Sequence, residues 1–590
     1  MDVTQLFAHE VYGGYVKKMA GEIDEHMAAI RNRLKAPQSL FERDFVERQG
    51  VRLPVFKNAP QSLPHLFNQY CTQFQDKPFL IDGDVRLTFG EVHAYAQRAA
   101  RQLVTHYGVQ KGDRIAIAAH NSANWIIAYM AILMAGGCAT LLNGWWTGKE
   151  LADGIALAQP GIVLADPERT ARLTGHDVAA RIVTFGHKHP ADGLAPILSD
   201  ASASDTCPET VLPELTGDDL ATILFTSGST GRAKAACSDH RAVVHATMSF
   251  AVKYHALSTT LHEAGTPPAG DQAALLSVPL FHVTGTVATM LLSFYSGRRI
   301  VIMPKWDARE AMRLIEKERV TFFVGVPLMG HEIATHPERV NYDLSSCETF
   351  ASGGSARPTD HILRARESFP DAFQVLGYGL TETNCMGCTN VSEQYLAKPT
   401  STGPANSPLV EMKILGADGE ALPAGECGEI AIRSICNFRE YWNEPEATME
   451  AVRPDGFFLT GDIGYLDEDG YLFIVDRKKD IIIRGGENIA CNEVEMALYG
   501  HPNIAEVSVF GLPDDHFGEV PVAVYRPASG ITMNEDELRA FLRERIATFK
   551  IPVRFWEETG TLPRLGTEKI DKVALKARYS QNWERARSAA

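Results

Sequence analysis

Thr226-Ser227-Gly228-Ser229-Thr230-Gly231-Arg232-Ala233-Lys234 follows directly on the apolar run Ala221-Thr222-Ile223-Leu224-Phe225. The run reads as a buried strand, and the stretch after it is equipped to hold a polyphosphate. Its two glycines let the backbone turn and come close to a ligand. Four hydroxyls and Lys234 offer donors and a positive charge to phosphate oxygens. This is not the G-x-x-x-x-G-K-[ST] nucleotide loop, because Lys234 lies three residues beyond the last glycine. A solvated turn would have the same composition, so the reading depends on what lies around it.

Outward from this stretch, from about residue 60 to about 475, strand-like runs alternate with helical patterns. Examples are 114–119, 161–165, 274–278, 299–302 and 321–324. Such alternation indicates an α/β architecture with largely parallel sheets. Residues 125–142 carry no charge and are long enough to span a bilayer, but Gly136-Gly137 interrupts them. A buried helix followed by a strand is the expectation there, with Asn121, Ser122 and Asn124 at the helix start. Residues 254–271, rich in Gly, Pro, Thr and His, read as a surface insertion.

The last roughly 110 residues read as a smaller α+β unit. Asn492, with Glu495 three residues later, has the spacing of a capped helix start. Leu538, Phe541, Leu542 and Ile546 mark a second helix. At the other end, Met19, Ile23, Met27, Ile30 and Leu34 recur at helical spacing before Pro37. That helix is expected to pack on the main body or on a second subunit, which leaves room for a homodimer. The resulting division is a helical extension at 1–58, a large domain at 59–478 and a mobile C-terminal domain at 479–590.

Composition sets broader limits. With 590 residues the chain exceeds one ordinary core, and 45% hydrophobic with 22% charged residues is a globular balance. A net charge of −16 argues against a nucleic-acid partner, though not against nucleotides, which need only local positive groups. Ten dispersed cysteines suggest a reducing compartment. No signal peptide and no transmembrane segment are read, so a cytoplasmic protein is expected. Cys385 and Cys388 have metal-like spacing without a second pair, and small apolar filling is the better reading.

The phosphate-binding stretch resembles that of the adenylate-forming superfamily, which includes acyl-CoA synthetases, adenylation domains and luciferases. Four more segments carry the resemblance in the family's order. They are Gly377-Tyr378-Gly379-Leu380-Thr381-Glu382-Thr383, Thr460-Gly461-Asp462, Asp476-Arg477-Lys478-Lys479-Asp480 with Gly485-Gly486-Glu487-Asn488, and Pro563-Arg564 through Lys569-Ile570. The likeness covers roughly 60 to 580 and implies a large adenylate-forming domain with mixed or parallel sheets plus a small mobile α+β domain.

Within that resemblance each segment acquires a role. Thr226, Ser227, Gly228, Ser229, Thr230, Gly231 and Lys234 would cradle the phosphates of ATP. Tyr378 and Gly379 would meet adenine together with Gly353, Gly354 and Ser355. Thr381 would contact the α-phosphate, and Glu382, with Thr230, would hold Mg2+. Asp462 and Arg477 are assigned to the ribose, and Lys569 to the meeting point of carboxylate and α-phosphate. Lys479 would be the hinge that exchanges Lys569 for the Gly485-Gly486 loop at the site.

The chain departs from the pattern at three places. Ala233 and Ala235 flank Lys234 where Pro and Gly are common, Glu568 precedes Lys569 where glycine is usual, and Glu440 precedes Tyr441. A carboxylate at 568 is expected to raise the Lys569 pKa or draw the ammonium from ATP.

His282, in Pro279-Leu280-Phe281-His282, stands where amino-acid-activating relatives carry an aspartate for the substrate ammonium. It therefore implies a simple carboxylic acid, and would gate the approach of acid or thiol. Residues 322–329 and 384–388 are expected to line an acyl pocket for a medium- or long-chain fatty acid or a bulky alicyclic or aromatic acid. Trp145-Trp146 are expected to pack inside the large domain. The implied reaction joins a carboxylic acid to coenzyme A through an acyl-adenylate. The alternatives are an acyl-AMP ligase that loads a carrier protein and a non-catalytic homologue that binds nucleotide or acyl group.

Overall fold

The computed structural model describes residues 26, 29–30, 32–34, 36–198, 211–227, 233–263, 267–354, 369, 372–528, 530–565 and 569–588. Two large sheets dominate it. In one, strands Leu220–Ser227, Cys138–Leu141, Arg114–Ala118, Ile162–Ala165 and Arg181–Thr184 run parallel, and Ala233–Asp239 closes one edge antiparallel with Glu440–Tyr441 beyond it. In the other, parallel strands Phe373–Tyr378, Thr349–Gly353, Phe322–Gly325, Ala273–Leu276, Arg299–Ile302 and Pro78–Asp82 lie between two antiparallel edges. The α/β reading therefore holds.

The uncharged run is buried between these sheets. Helix Ala123–Met134 buries all twelve residues and touches strands of both sheets. Ser122 caps it by accepting from Trp125 N, and Gly136, at φ +84°, lets the chain turn into strand Cys138–Leu141. Asn121, just before the cap, ties the two sheets together. Its amide donates to Val278 O at 2.9 Å and accepts from Leu280 N at 2.8 Å.

A five-stranded antiparallel sheet, Gly403–Pro404, Tyr471–Arg477, Phe458–Leu466, Gly428–Ser434 and Val410–Leu415, completes the large unit. Residues from Ile482 on build their own core around Val494, Leu498, Val507 and Leu542, on a sheet centred on strands Ile504–Asp514 and Gly518–Pro527. Near the N-terminus Ile30 and Leu34 pack against Ala256. Met19 and Ile23 lie outside the described residues, as does Met27.

Two local expectations are corrected. Helix His240–Glu263 runs through the first half of the supposed surface insertion. Gly and Pro enter only after it, and Thr260 Oγ1 donates back to Ala256 O at 2.9 Å in helical fashion. Asn492 does not cap its helix, which spans Cys491–Tyr499 behind Ala490. The cap comes from a different segment: Asp476 Oδ2 accepts from Asn492 N at 3.2 Å. Glu495 instead accepts from Val509 N and pairs with Lys572, both at 2.7 Å. Of the second helix, Glu535–Arg543, Leu538 and Leu542 are buried, and Ile546 lies past its end.

Candidate active site

The phosphate-loop candidate is flanked by two paired antiparallel strands. Strand Leu220–Ser227 pairs with Ala233–Asp239, so that Thr226 faces Lys234 in register. Gly228, Ser229, Thr230 and Gly231 lie outside the described residues, as do Ser355 and Glu568. On the second of these strands, Lys234 Nζ stands 4.6 Å from the centre of the Tyr441 ring. Tyr441 Oη donates to Glu382 Oε1 at 2.8 Å.

Glu382 is 7% exposed, in the short 3-10 turn Thr381–Thr383. Burial raises its pKa, and the Tyr441 hydroxyl and the Lys234 charge oppose that shift. A buried carboxylate held by a neutral phenol is left short of positive charge. Among the described residues no three His, Cys, Asp or Glu converge on a metal-binding point. The buried Glu382 carboxylate suits Mg2+, a hard cation often held by one or two carboxylates together with substrate phosphates.

The turn carrying Thr381 and Glu382 is fixed from below. Asn384 adopts the left-handed conformation, φ 48°, and its amide donates to Ser238 Oγ at 2.9 Å and Cys436 O at 2.8 Å. This corrects its assignment to the acyl pocket: the side chain anchors the loop. Cys385, the next residue, is the one that turns toward the cleft, with its thiol hydrogen-bonded to Thr284. A side chain at Gly379 would sit 2.4 Å from Cys385 O, so the loop can fold back only over glycine.

Tyr378 Oη donates to Asp462 Oδ2 at 2.7 Å, joining two sequence-distant candidates. Asp462 and Arg477 are cross-strand partners, with Nε 3.7 Å from Oδ1. Burial raises the Asp462 pKa, while Tyr378, Arg477 and Lys569 work to lower it.

Lys569 reaches the same place from the far end of the chain. On either side of it the chain is held together, with Leu565 N donating to Lys569 O at 2.8 Å and Arg564 bridging Ile570. The side chain lies across the bare backbone of Gly354, where an added Cβ would meet Lys569 Cε at 3.2 Å and Nζ at 3.3 Å. Gly354 has φ +82°, a second reason for glycine there. Gly353, beside it, would clash with Gly377 O at 2.8 Å. Burial and the nearby Arg477 charge push the Lys569 pKa down to about 8, the opposite of the rise expected from its sequence neighbour.

His282 faces the same lysine. Burial, and then the Lys569 charge, depress its pKa to about 3, so it is neutral at physiological pH. Its Nε2 is buried with no hydrogen-bond partner among the described residues. His282 is positioned by a sharp turn before the π-helix Thr284–Leu291, and a side chain at Gly285 would meet Pro279 O at 2.4 Å.

Behind Phe281 lies a cavity lined by residues that include Asn121, Trp145, Arg169, Trp306 and Met329. Trp145 therefore faces a void, while Trp146 packs on Phe225 with ring centres 5.2 Å apart. Trp145 Nε1, Arg169 Nη2 and His120 Nδ1 are buried donors or acceptors without partners among the described residues.

Lys479 and the Gly485-Gly486 turn are exposed and lie in or near the junction. Gly485 N donates to Phe517 O at 2.8 Å, and strands Ile482–Arg484 and Glu487–Ile489 flank the turn. In this arrangement Lys569, not the glycine turn, occupies the cleft. The sequence reading placed Asn121 only at a helix start and missed it as part of the site's frame. No motif marks it, because its role comes from contacts between segments far apart in the chain.

Comparisons with known proteins agree with this geometry. The model for AMP-binding enzymes matches residues 67–442, and the model for the AMP-binding enzyme C-terminal domain matches 493–569. A feruloyl-CoA synthase from Amycolatopsis is 34% identical over 497 residues, covering 84% of this chain and 95% of the relative. A long-chain-fatty-acid–CoA ligase from Bacillus subtilis is 30% identical over 567 residues, covering 90% and 98%. Among solved structures, ATP-bound MatB from Rhodopseudomonas palustris superimposes with a TM-score of 0.76 at 28% identity, covering 88% of this chain and 99% of that one. The chain belongs to the AMP-binding enzyme family, on its acyl-CoA synthetase branch, and is an acid–thiol ligase of the AMP-forming type.

Proposed function

We propose that the enzyme activates a medium- or long-chain fatty acid, or a bulky alicyclic or aromatic acid, with ATP and Mg2+ and transfers it to coenzyme A. The carrying observation is the insertion of Lys569 into a cleft framed by Gly354, His282 and Asp462. In the first step the substrate carboxylate attacks the α-phosphorus and pyrophosphate leaves. Two anions must meet, so positioning and charge neutralisation dominate. Lys569 supplies the charge at the meeting point, Thr381 meets the α-phosphate, and Lys234 with the loop hydroxyls holds the leaving phosphates. Tyr378 and Asp462 seat the nucleoside, with Arg477 beside the ribose. Glu382, and Thr230 from the loop, would hold Mg2+, which supplies further neutralisation of phosphate charge when bound.

In the second step a C–S bond forms at the acyl carbon, the C–O bond to phosphate breaks, AMP leaves with the electron pair, and the thiol proton passes to solvent. A lysine in the cleft obstructs that step, so the C-terminal unit turns about Lys479 and brings in Gly485-Gly486. Phe281 lines the cavity that Trp145 and Arg169 also line, and the next residue, His282, lies near Lys569, which supports thiol approach from that side. The cavity's buried unpaired donors suit an extended thiol with acceptor groups along its length. For the acid, Thr284, Cys385 and residues 322–329 offer a wall of small and apolar groups. A cytosolic enzyme is the matching reading of location.

The test is pyrophosphate release from ATP and Mg2+ across a panel of carboxylic acids, with and without CoA. Acid-dependent release with an acyl-CoA product supports the proposal and ranks the acids. Release with no CoA thioester would transfer weight to carrier-protein loading, and silence across the panel would favour a non-catalytic binder.

A further inference from the structure

Arg564 lies five residues before Lys569 and is bridged to Ile570, while Leu565 N donates to Lys569 O, so the two must enter and leave the cleft region together. Its guanidinium joins two units of the molecule. One side pairs with the buried Glu506, which Arg526 also holds, at 3.0 Å. The other reaches Glu332 Oε1 at 3.2 Å, on helix Pro327–Thr335 of the large unit. The second oxygen of that carboxylate, Oε2, accepts from Trp306 Nε1 at 2.6 Å. Trp306 stacks on Phe323, with ring centres 5.9 Å apart, and forms part of the wall of the cavity behind Phe281.

We propose that the relay Arg564–Glu332–Trp306 couples docking of the Lys569 segment to the wall of the cavity behind Phe281. Glu332 holds Trp306 in its present place while Arg564 holds Glu332. When the C-terminal unit turns, Glu332 loses one of its two anchors. Its side chain is 30% exposed and can then turn toward water, releasing the indole as the thiol's route comes into use. Glu332 and Arg564 are thus positioning residues: neither touches the reacting atoms. This inference rests on the two-step reading above and adds to it a device that times access of the second substrate.

Glu332→Gln is the sharpest probe, because glutamine has the same shape and still accepts from Trp306 but no longer pairs with Arg564. The intact enzyme is assayed for two half-reactions separately: acyl-adenylate formation, and thioester formation from supplied acyl-adenylate and CoA. Adenylate formation should fall about threefold to fivefold, the upper part of what loss of one partly exposed ion pair gives. Thioester formation should stay level or rise, with a lower KM for CoA. A parallel fall in both steps, as from mere loss of structure, or no change beyond twofold in either, would overturn the relay.

A second readout follows Trp306 itself. In enzyme labelled with 5-fluorotryptophan, the Trp306 fluorine resonance is assigned by its loss in Trp306→Phe. Adding a non-reactive acyl-adenylate analogue with CoA should shift it in the unsubstituted enzyme but not in Lys479→Pro. No shift in either, or an equal shift in both, would contradict the coupling. An unsubstituted enzyme that makes no acyl-adenylate would overturn the two-step reading and the relay with it. An active enzyme with an unaffected Glu332→Gln variant overturns the relay alone.

Discussion

Tyr378, Asp462, Glu382 and Tyr441 sit on strands or turns of the large unit and are joined in two pairs by direct hydrogen bonds, Tyr378 to Asp462 and Tyr441 to Glu382. Lys569 enters the same cleft from an irregular segment, attached to the large unit there by an ion pair between Arg564 and Glu332. The first group is buried or half-buried within the large unit. The second is held by contacts that water can replace. The contrast shows how one cleft can serve two reactions: the nucleotide seat stays fixed, and the group completing it is weakly enough held to be exchanged.

The largest expected effect falls on the visiting half. Lys569→Met should lower acid-dependent pyrophosphate release by about two to three orders of magnitude, as removal of a group aimed at developing charge commonly does. ATP binding, measured by calorimetry, should change far less. Equal losses in both would erase the distinction between the fixed and visiting halves.

On the fixed half, Asp462→Asn removes the charge that accepts from Tyr378 and faces Arg477. KM for ATP should rise about tenfold to a hundredfold, the worth of a charged hydrogen bond. The second half-reaction, given preformed acyl-adenylate, should suffer in binding too, because both steps use the same nucleoside seat. A defect confined to the first step would sink that assignment.

The two halves also differ in what pH does to them. A lysine is charged below its pKa, and Lys569 is pushed down to about 8 in the free enzyme. The kcat/KM for adenylate formation, which reports the free enzyme, should therefore hold up to about pH 8 and then fall toward tenfold per pH unit. An ordinary lysine would hold its charge up to about pH 10. A profile flat through pH 9.5 would show that Lys569 is not the titrating group. The smallest effect is expected from Tyr441→Phe, about threefold to tenfold in activity. It removes the hydroxyl that steadies Glu382, and added Mg2+ should recover part of the loss.

The parts of the molecule legible in sequence are those built from contiguous residues. The alternating runs marked the parallel strands because a strand buried on both faces must be apolar throughout. Gly136-Gly137 separated the buried helix from a membrane span. The motif segments named Tyr378, Glu382, Asp462, Arg477 and Lys569, and the structure brings Lys569 together with Asp462 and Arg477. What escaped is what arises only from juxtaposition. Asp476 capping a helix of the C-terminal unit, Asn121 tying two sheets, and Asn384 anchoring the Glu382 turn each depend on a partner remote in sequence. The Lys569 pKa was misjudged for the same reason: the adjacent Glu568 was visible, whereas burial and Arg477 were not.

The central claim is that one cleft is completed first by Lys569 and then by the Gly485-Gly486 turn, with Lys479 as the pivot. Lys479→Pro tests it most directly, since proline fixes φ at the residue that must change conformation. Both half-reactions are measured on this one variant, adenylate formation by acid-dependent ATP–pyrophosphate exchange and thioester formation from supplied acyl-adenylate and CoA. The account predicts exchange near that of the unsubstituted enzyme with thioester formation lost. Loss of both steps together, or retention of both, would contradict it.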